Sequence, residues 1–418
     1  DYSIIAVVGE NMRRTPGIAG KFFSALGDNN INISAIAQGS SELNISAVIS
    51  KNDELKALNV IHQKFFYSNK SEIIHLYLAG FGLVGSTLIE LIHKNPDLHH
   101  RFRLQGIINS KKMIITGGEI NSDSIKASLA HEGEAADLKK FIDKIRSFNY
   151  ENSVFVDCTA SEIVADMYGK ILESGINIVA ANKTATTKNY EYYSFLKTTA
   201  QKNRKKFLFE TNVGAALPVI STMNDLIRAG DKIIKIEGVL SGTLSYIFNN
   251  LSSKSKFSKL VRQARELGYT EPDPRDDLNG RDAARKLLIL IREAHNVFEM
   301  EQIKVQNLVP AKYRRIPSVH EFIKRLPELD DYFERMYINA QKKNCVLRYI
   351  STYADGNASV QLRAVDKKHP FYNLSGTENI IAYYTDFYNT APQVINGPGA
   401  GPVITGVGII SDMFKIFG

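Results

Sequence analysis

The stretch LYLAGFGLVGSTLIELI, residues 76–92, restricts the fold of this chain more than any other. Gly80, Gly82 and Gly85 follow an apolar run of strand composition and open a segment with apolar residues at helical spacing. In that setting GxGxxG forms the turn of a dinucleotide-binding βαβ unit. One glycine makes the tight turn, the next lets backbone approach a pyrophosphate, and the last lets helix pack on strand. The loop of Gly80, Phe81, Gly82, Leu83, Val84 and Gly85 would then turn the N–H groups of a helix start toward the phosphates. Three glycines alone would say little. Here IIHLYLAG, RFRLQGIIN, VFVDCTAS, INIVAAN and KFLFETN follow in alternation with helical stretches, the mark of a doubly wound parallel sheet.

Ahead of that unit the order of elements differs. SIIAVVG reads as a strand, and TPGIAGKFFSALGDNN as a helix entered through Pro16-Gly17 and closed by Gly27. NINISAIAQ and LNISAVIS read as strands joined by GSSE, and DELKALNVIHQKFFY as a helix. This βαββα order is one strand short of a split βαββαβ sandwich, so an incomplete domain that needs a strand from elsewhere is expected. The chain opens on Asp with a strand almost at once, and is expected to start inside a longer protein. After about Leu217, longer helices mix with strands such as IIKIEGVLS, VLRYISTYA and ASVQLRAV.

Composition removes several classes. A net charge of +8 is mild for 418 residues, and clusters such as KNRKK lack interleaved aromatics, so nucleic acid is not an expected partner. No apolar run approaches the roughly 20 residues of a membrane helix. The two cysteines, Cys158 and Cys345, imply no disulfide framework and suit a reducing, cytoplasmic location. Cys158, at a strand end, reads as a small apolar residue, and no His or Cys cluster has zinc spacing.

The densest chemistry lies in GYTEPDPRDDLNGRDAARKLLILIREA, residues 268–294. Glu271, Asp273, Asp276, Asp277 and Asp282 precede Lys286. A helix starting near Asn279, with Asn279 as its cap, puts Asp282 and Lys286 on one face. Asp282 could merely compensate the helix dipole. That does not account for Pro272 and Pro274, which stiffen the loop carrying Glu271 and Asp277. A rigid acidic loop beside a lysine suits a small cationic or zwitterionic substrate. A lysine that exchanges a proton also suits hydride chemistry, which leaves an alkoxide. Lys183 follows a parallel strand, where such sheets place ligands, although a surface lysine is the plain alternative. The second strand of the sheet ends in Asn109, Ser110 and Lys111 with no acid, which favours NADP(H) over NAD.

The acidic stretch, with EGVLSGTLSYIFNNL, DCTAS, ANKTA, ETNVGAALPVI and GPGAG, resembles homoserine dehydrogenase from about residue 72 to the C-terminus. VVGENMRRTPGIAGKFFSAL and NINISAIAQGSSE resemble the regulatory ACT region of aspartate kinases. Together they are similar to the C-terminal two-thirds of a bifunctional aspartate kinase–homoserine dehydrogenase. The kinase's amino-terminal signature is absent. The resemblance implies an α/β fold: a Rossmann dinucleotide-binding domain (71–210 with 398–418) plus an α/β catalytic and dimerisation domain (211–397), preceded by a partial ferredoxin-like ACT domain (1–70). It implies interconversion of L-homoserine and L-aspartate 4-semialdehyde with NADP(H), in threonine and methionine synthesis, by a homo-oligomer that is at least a dimer.

By motif, the resemblance makes Lys286 the proton donor, Asp282 a substrate partner, Glu271 the contact for the amino group, and Asp277 a lining residue. Lys183 would sit near carbonyl and nicotinamide, with Thr159 and Gly401 touching the cofactor. Glu210, Val213, Ala215 and Leu217 match a loop that binds Na+ or K+ mainly through backbone carbonyls. Asn30 and Gln38 lie where relatives bind an amino-acid effector, often threonine. A sensor whose dehydrogenase half is inactive, and an aldehyde dehydrogenase using a reactive cysteine, are the rival expectations.

Overall fold

A computed structural model gives the fold and describes residues 1–66, 73–121, 124–150 and 152–417. Three sheets organise these residues. In the first, β1 (Tyr2–Val8), β2 (Ile33–Gln38) and β3 (Asn44–Ser50) pair antiparallel in the order β1-β3-β2. Helices Ile18–Asp28 and Glu54–Phe66 close over Ile5, Phe22, Leu26, Ala47 and Ile49. The βαββα order is the expected one. The first helix runs through Gly27 to Asp28 instead of closing at Gly27, and Gly17, at φ +88, starts it. Tyr67, at the expected end of the second helix, and the 70/71 domain boundary lie outside the described residues.

The second sheet contains β4 (Ile74–Ala79), β5 (Phe102–Ile108), β6 (Lys112–Ile115), β7 (Glu134–Ala135), β8 (Ser153–Asp157), β9 (Asn177–Ala180) and β10 (Phe207–Leu208). Its order is β10-β9-β8-β4-β5-β6-β7, parallel from β10 to β5. β6 and β7 run antiparallel at one edge. Strand β8 is buried on both faces, as a central parallel strand must be. Leu76, Leu78, Val154 and Val156 pack under helices Leu83–Lys94 and Pro402–Phe417. Tyr77 and Phe155 point the other way, into the core of helices Leu138–Phe148, Tyr168–Glu173 and Tyr190–Lys202. KFLFETN forms only the two residues of β10 before a 3-10 turn, Glu210–Asn212.

The third sheet has β11 (Ile233–Val239), β12 (Ile303–Val305), β13 (Val346–Ala354), β14 (Asn357–Val365), β15 (Glu378–Thr385) and β16 (Gln393–Pro398). Its order is β12-β14-β13-β11-β15-β16, antiparallel except for the β12–β14 pair. Helix Arg281–Glu293 is buried against it over most of its length, through Leu287, Leu288, Leu290 and Ile291. Lys286 therefore stands in the middle of an apolar helix. Among the described residues no helix is long and apolar enough to cross a membrane.

Candidate active site

The three glycines divide their work by geometry. Gly80 has φ +89, and a Cβ on it would lie 2.8 Å from Thr159 Cγ2 and 3.0 Å from the Cys158 carbonyl. A Cβ on Gly85 would lie 2.1 Å from the Gly80 oxygen. Gly82 is extended, with nothing within 4 Å of a Cβ, so space is left above it. No side chain caps the helix that begins at Leu83. An open glycine before an uncapped helix start is what an approaching phosphate requires.

The end of β5 is a side-chain-supported turn. Asn109 Oδ1 accepts the N–H groups of Lys111 and Lys112, each at 2.8 Å, which sends β6 back along β5. The Ser110 and Lys111 side chains remain exposed, and no carboxylate follows the strand.

At the end of β9, Lys183 heads the turn Thr184–Thr187. Its Nζ lies 3.8 Å from Asp282 Oδ1, while Lys286 Nζ lies 2.8 Å from Asp282 Oδ2 and donates to Leu240 O at 2.7 Å. Asp282 thus bridges two lysines, one just past β9 and one on the helix packed against the third sheet. Lys286 is only 8% exposed. Burial lowers the pKa of Lys183, and the neighbouring Lys286 charge adds to that against the pull of Asp282. Half of the Asp282 side chain meets solvent; desolvation of its carboxyl would raise its pKa, but the two lysines win and hold it well below the usual carboxylate range.

The acidic loop separates into structural and open groups. Asp273, the N-cap of helix Pro274–Leu278, accepts Arg275 N–H at 3.0 Å and pairs with its guanidinium at 2.6 Å. Asp277 accepts Glu271 N–H at 2.8 Å and the Thr243 hydroxyl at 2.9 Å, and burial raises its pKa. Among the described residues the Glu271 carboxylate makes no hydrogen bond or ion pair, and it lines a cavity of about 370 Å³ with Asp277, Asp282, Arg281 and Arg285. Asn279 is not the cap of the Lys286 helix. It ends the preceding helix and accepts Arg281 N–H at 2.7 Å, while Gly280, at φ +74, takes the cap position. The reason is steric: a Cβ on Gly280 would lie 2.1 Å from the Tyr349 hydroxyl.

Other side chains in the site were not read from the sequence. Arg281 and Arg285 add positive charge to the acidic cavity, so it offers both signs to a zwitterion. Arg292, 1% exposed, extends from the Lys286 helix to Thr186 O at 3.0 Å and Lys188 O at 2.7 Å, tying it to the Lys183 segment. Glu299 pairs with it at 2.7 Å. Arg292→Met is expected to lower unfolding free energy by about 2–4 kcal/mol, read by urea denaturation, because several buried carbonyls lose their donor.

The remaining sequence candidates are placed as follows. Thr159 lies beside Gly80, and its N–H donates to Asp157 at 2.7 Å. Gly401, at φ +118, precedes helix Pro402–Phe417, whose Gly406 meets Leu91 of the glycine-turn helix. Glu210 is occupied: Oε2 pairs with Lys415 at 3.0 Å, and Oε1 accepts Ile220 N–H at 2.6 Å. Gly214 and Ala215 both have positive φ, so the loop through Val213 and Leu217 bends sharply. Gln38 lines a groove of about 320 Å³ with Arg14, Thr15 and Glu42, whereas Asn30 is not part of that lining. Burial, reinforced by Asp157, pushes the Cys158 thiol pKa up, the opposite of a reactive cysteine.

Comparisons with known proteins show the family. A model of the homoserine dehydrogenase NAD-binding domain matches residues 80–210, one of homoserine dehydrogenase matches 218–414, and one of the ACT domain matches 5–65. The chain is 40% identical over 419 residues to a bifunctional aspartokinase/homoserine dehydrogenase of Haemophilus influenzae, covering 99% of this chain and 51% of that protein. It is 42% identical over 275 residues to homoserine dehydrogenase of Paracoccidioides brasiliensis, covering 63% and 74%. A hyperthermophilic archaeal homoserine dehydrogenase solved with NADPH shares the fold at a TM-score of 0.63 and 20% identity, covering 82% of this chain and 97% of that one. This chain spans about half the length of the curated bifunctional relatives it matches, 51% and 46% for two of them.

The fold and the matched models define an α/β protein with an NAD-binding domain. Within that class, the chain belongs to the homoserine dehydrogenase family, with an ACT domain ahead of the dehydrogenase.

Proposed function

We propose that this chain interconverts L-homoserine and L-aspartate 4-semialdehyde with NADP(H). The observation that carries the reading is the Lys183–Asp282–Lys286 cluster, which adjoins an acidic cavity and lies at the end of the sheet that bears the glycine turn. The dinucleotide would lie over Gly80, Gly82 and Gly85 and supply the hydride acceptor or donor. Lys286 has three N–H donors. As an ammonium it commits two, to Asp282 and Leu240 O; in the reductive direction the third N–H proton passes to the substrate alkoxide, and in oxidation the neutral amine takes the hydroxyl proton. Lys183 stabilises negative charge on the same oxygen, and its lowered pKa suits a group near the reacting centre. Glu271 takes the substrate ammonium and Asp277 fixes the loop that carries it. The test is purified chain with NADP+ and L-homoserine at alkaline pH, followed by absorbance of reduced cofactor. No signal, with cofactor binding established, would overturn the reading.

NADP(H) is preferred because Ser110 and Lys111 attract a 2′-phosphate where a carboxylate would repel it. The expected kcat/KM favours NADP+ over NAD+ by about tenfold or more in steady-state assays; the reverse order would overturn that preference. A monovalent cation, Na+ or K+, would be held at the 210–217 loop by the carbonyl oxygens of Glu210, Val213, Ala215 and Leu217, because the Glu210 carboxylate is already engaged by Lys415 and the N–H groups of Ile220 and Ser221. The groove beside Gln38 is read as the site of an amino-acid effector, threonine being the candidate. Residues 1–70, 71–210 with 398–418, and 211–397 are read as regulatory, cofactor and catalytic units, the last also forming a dimer.

A further inference from the structure

One carboxylate that the reaction does not use directly ties the ends of β8 and β9 together. Asp157 is fully buried. Its Oδ1 accepts Thr159 N–H at 2.7 Å, and its Oδ2 accepts the Tyr168 hydroxyl at 2.6 Å and Asn182 Nδ2 at 3.0 Å. Asn182 Nδ2 also reaches Ser161 O at 2.9 Å, while Asn182 Oδ1 accepts Thr184 N–H at 2.9 Å. Thr184 is the residue next to Lys183. The orientation of the Asn182 amide is fixed by this chemistry. Flipping it would set its oxygen against a carboxylate and a carbonyl, and its NH2 against the Thr184 N–H.

The same carboxylate therefore controls two turns. One carries Thr159, which lies beside Gly80, and the other carries Lys183, whose ammonium lies 3.8 Å from Asp282. Among the described residues no lysine or arginine pairs with Asp157. Its desolvation is offset only by hydrogen bonds, two of which lead to the strand-end turns at Thr159 and Asn182. An apolar residue would fill the volume at lower desolvation cost, but it could not orient the Asn182 amide.

We infer that Asp157, acting through Asn182, is a positioning residue for Lys183, fixing the lysine's place relative to Asp282 and the glycine turn. The inference rests on the reading of Lys183 as a group at the reacting centre. Asn182→Ala and Asp157→Ala, made in the full chain, test it by L-homoserine oxidation normalised to sites that bind NADPH. Asn182→Ala should lower kcat about 30- to 100-fold, since displacements near 1 Å at a reacting group carry such penalties. In Asn182→Ala, KM for homoserine and Kd for NADPH should stay within about threefold, because the Thr159 turn keeps its own bond to Asp157. The double variant should fall no further than the worse single, since both residues act along one line of bonds. Should Asp157→Ala fail to fold, Asn182→Ala still decides the matter. An Asn182→Ala enzyme whose kcat stays within about threefold of wild type, or whose loss lies wholly in KM, overturns the inference while leaving the dehydrogenase reading intact. An inactive wild type overturns both.

Discussion

Lys286→Ala is expected to lower kcat for L-homoserine oxidation by about 10³-fold, with the Kd for NADPH within about threefold of wild type. The lysine lies on a buried helix, and its ammonium is aimed by two contacts, Asp282 Oδ2 at 2.8 Å and Leu240 O at 2.7 Å. Its removal leaves Asp282 with Lys183 at 3.8 Å, so the carboxylate keeps one cation, and half of its side chain meets solvent. The fold should therefore survive, and the loss should fall on proton transfer. Lys183→Ala should lose a comparable amount. The double variant should lose little more than either single, because the two ammonium groups act on one oxygen and share one carboxylate. Single-turnover kinetics with reduced-cofactor absorbance measures all three. Turnover of Lys286→Ala within about fivefold of wild type would remove it from the chemistry.

The parts of this site that were legible in the sequence are those where a side chain, or its absence, solves a local steric problem. The glycine turn was legible because Gly80 and Gly85 each answer a close approach, while Gly82 leaves the space above the turn open. Lys286 and Asp282 were legible because four residues make one helical turn. The acidic loop was only half legible. Asp273 has the composition of a ligand, yet it caps a five-residue helix, and only the fold distinguishes the two roles. Asn279 looked like the cap because capping propensity is local, whereas the approach of Tyr349, which puts Gly280 there, is tertiary. Arg292 was hidden because an arginine near a helix end ordinarily reads as solvated; here it bridges to another segment's carbonyls. Of the strands not named from the sequence, β6, β7 and β12 are short and β16 lies at a sheet edge, where burial gives little periodicity; β15 is long and central, and its near-continuous apolar run carries no alternation either. The Asp157–Asn182 link joins residues 25 positions apart through neighbouring strand ends, and spacing cannot show that.

Gly85→Ala and Gly82→Ala should fail for different reasons, and the contrast tests the ligand reading of the turn. At Gly85 the new Cβ would meet backbone, the Gly80 oxygen, at 2.1 Å, and a backbone atom cannot rotate away as a side chain can. Helix Leu83–Lys94 must then lift off β4, which is expected to cost about 3 kcal/mol or more of stability and to abolish measurable NADPH binding. At Gly82 the backbone is extended at φ −87, which alanine adopts freely, and no atom lies within 4 Å of the new methyl. Unfolding free energy should therefore change by less than about 0.5 kcal/mol. NADPH affinity should nevertheless fall about tenfold or more, because the methyl occupies space that the pyrophosphate needs. Thermal melts with and without NADPH separate the two variants: Gly85→Ala melts early in both, while Gly82→Ala melts normally without ligand and gains little from it. If Gly82→Ala bound NADPH like wild type, the dinucleotide would not lie over this turn, and Lys183 and Lys286 would have to find their redox partner elsewhere.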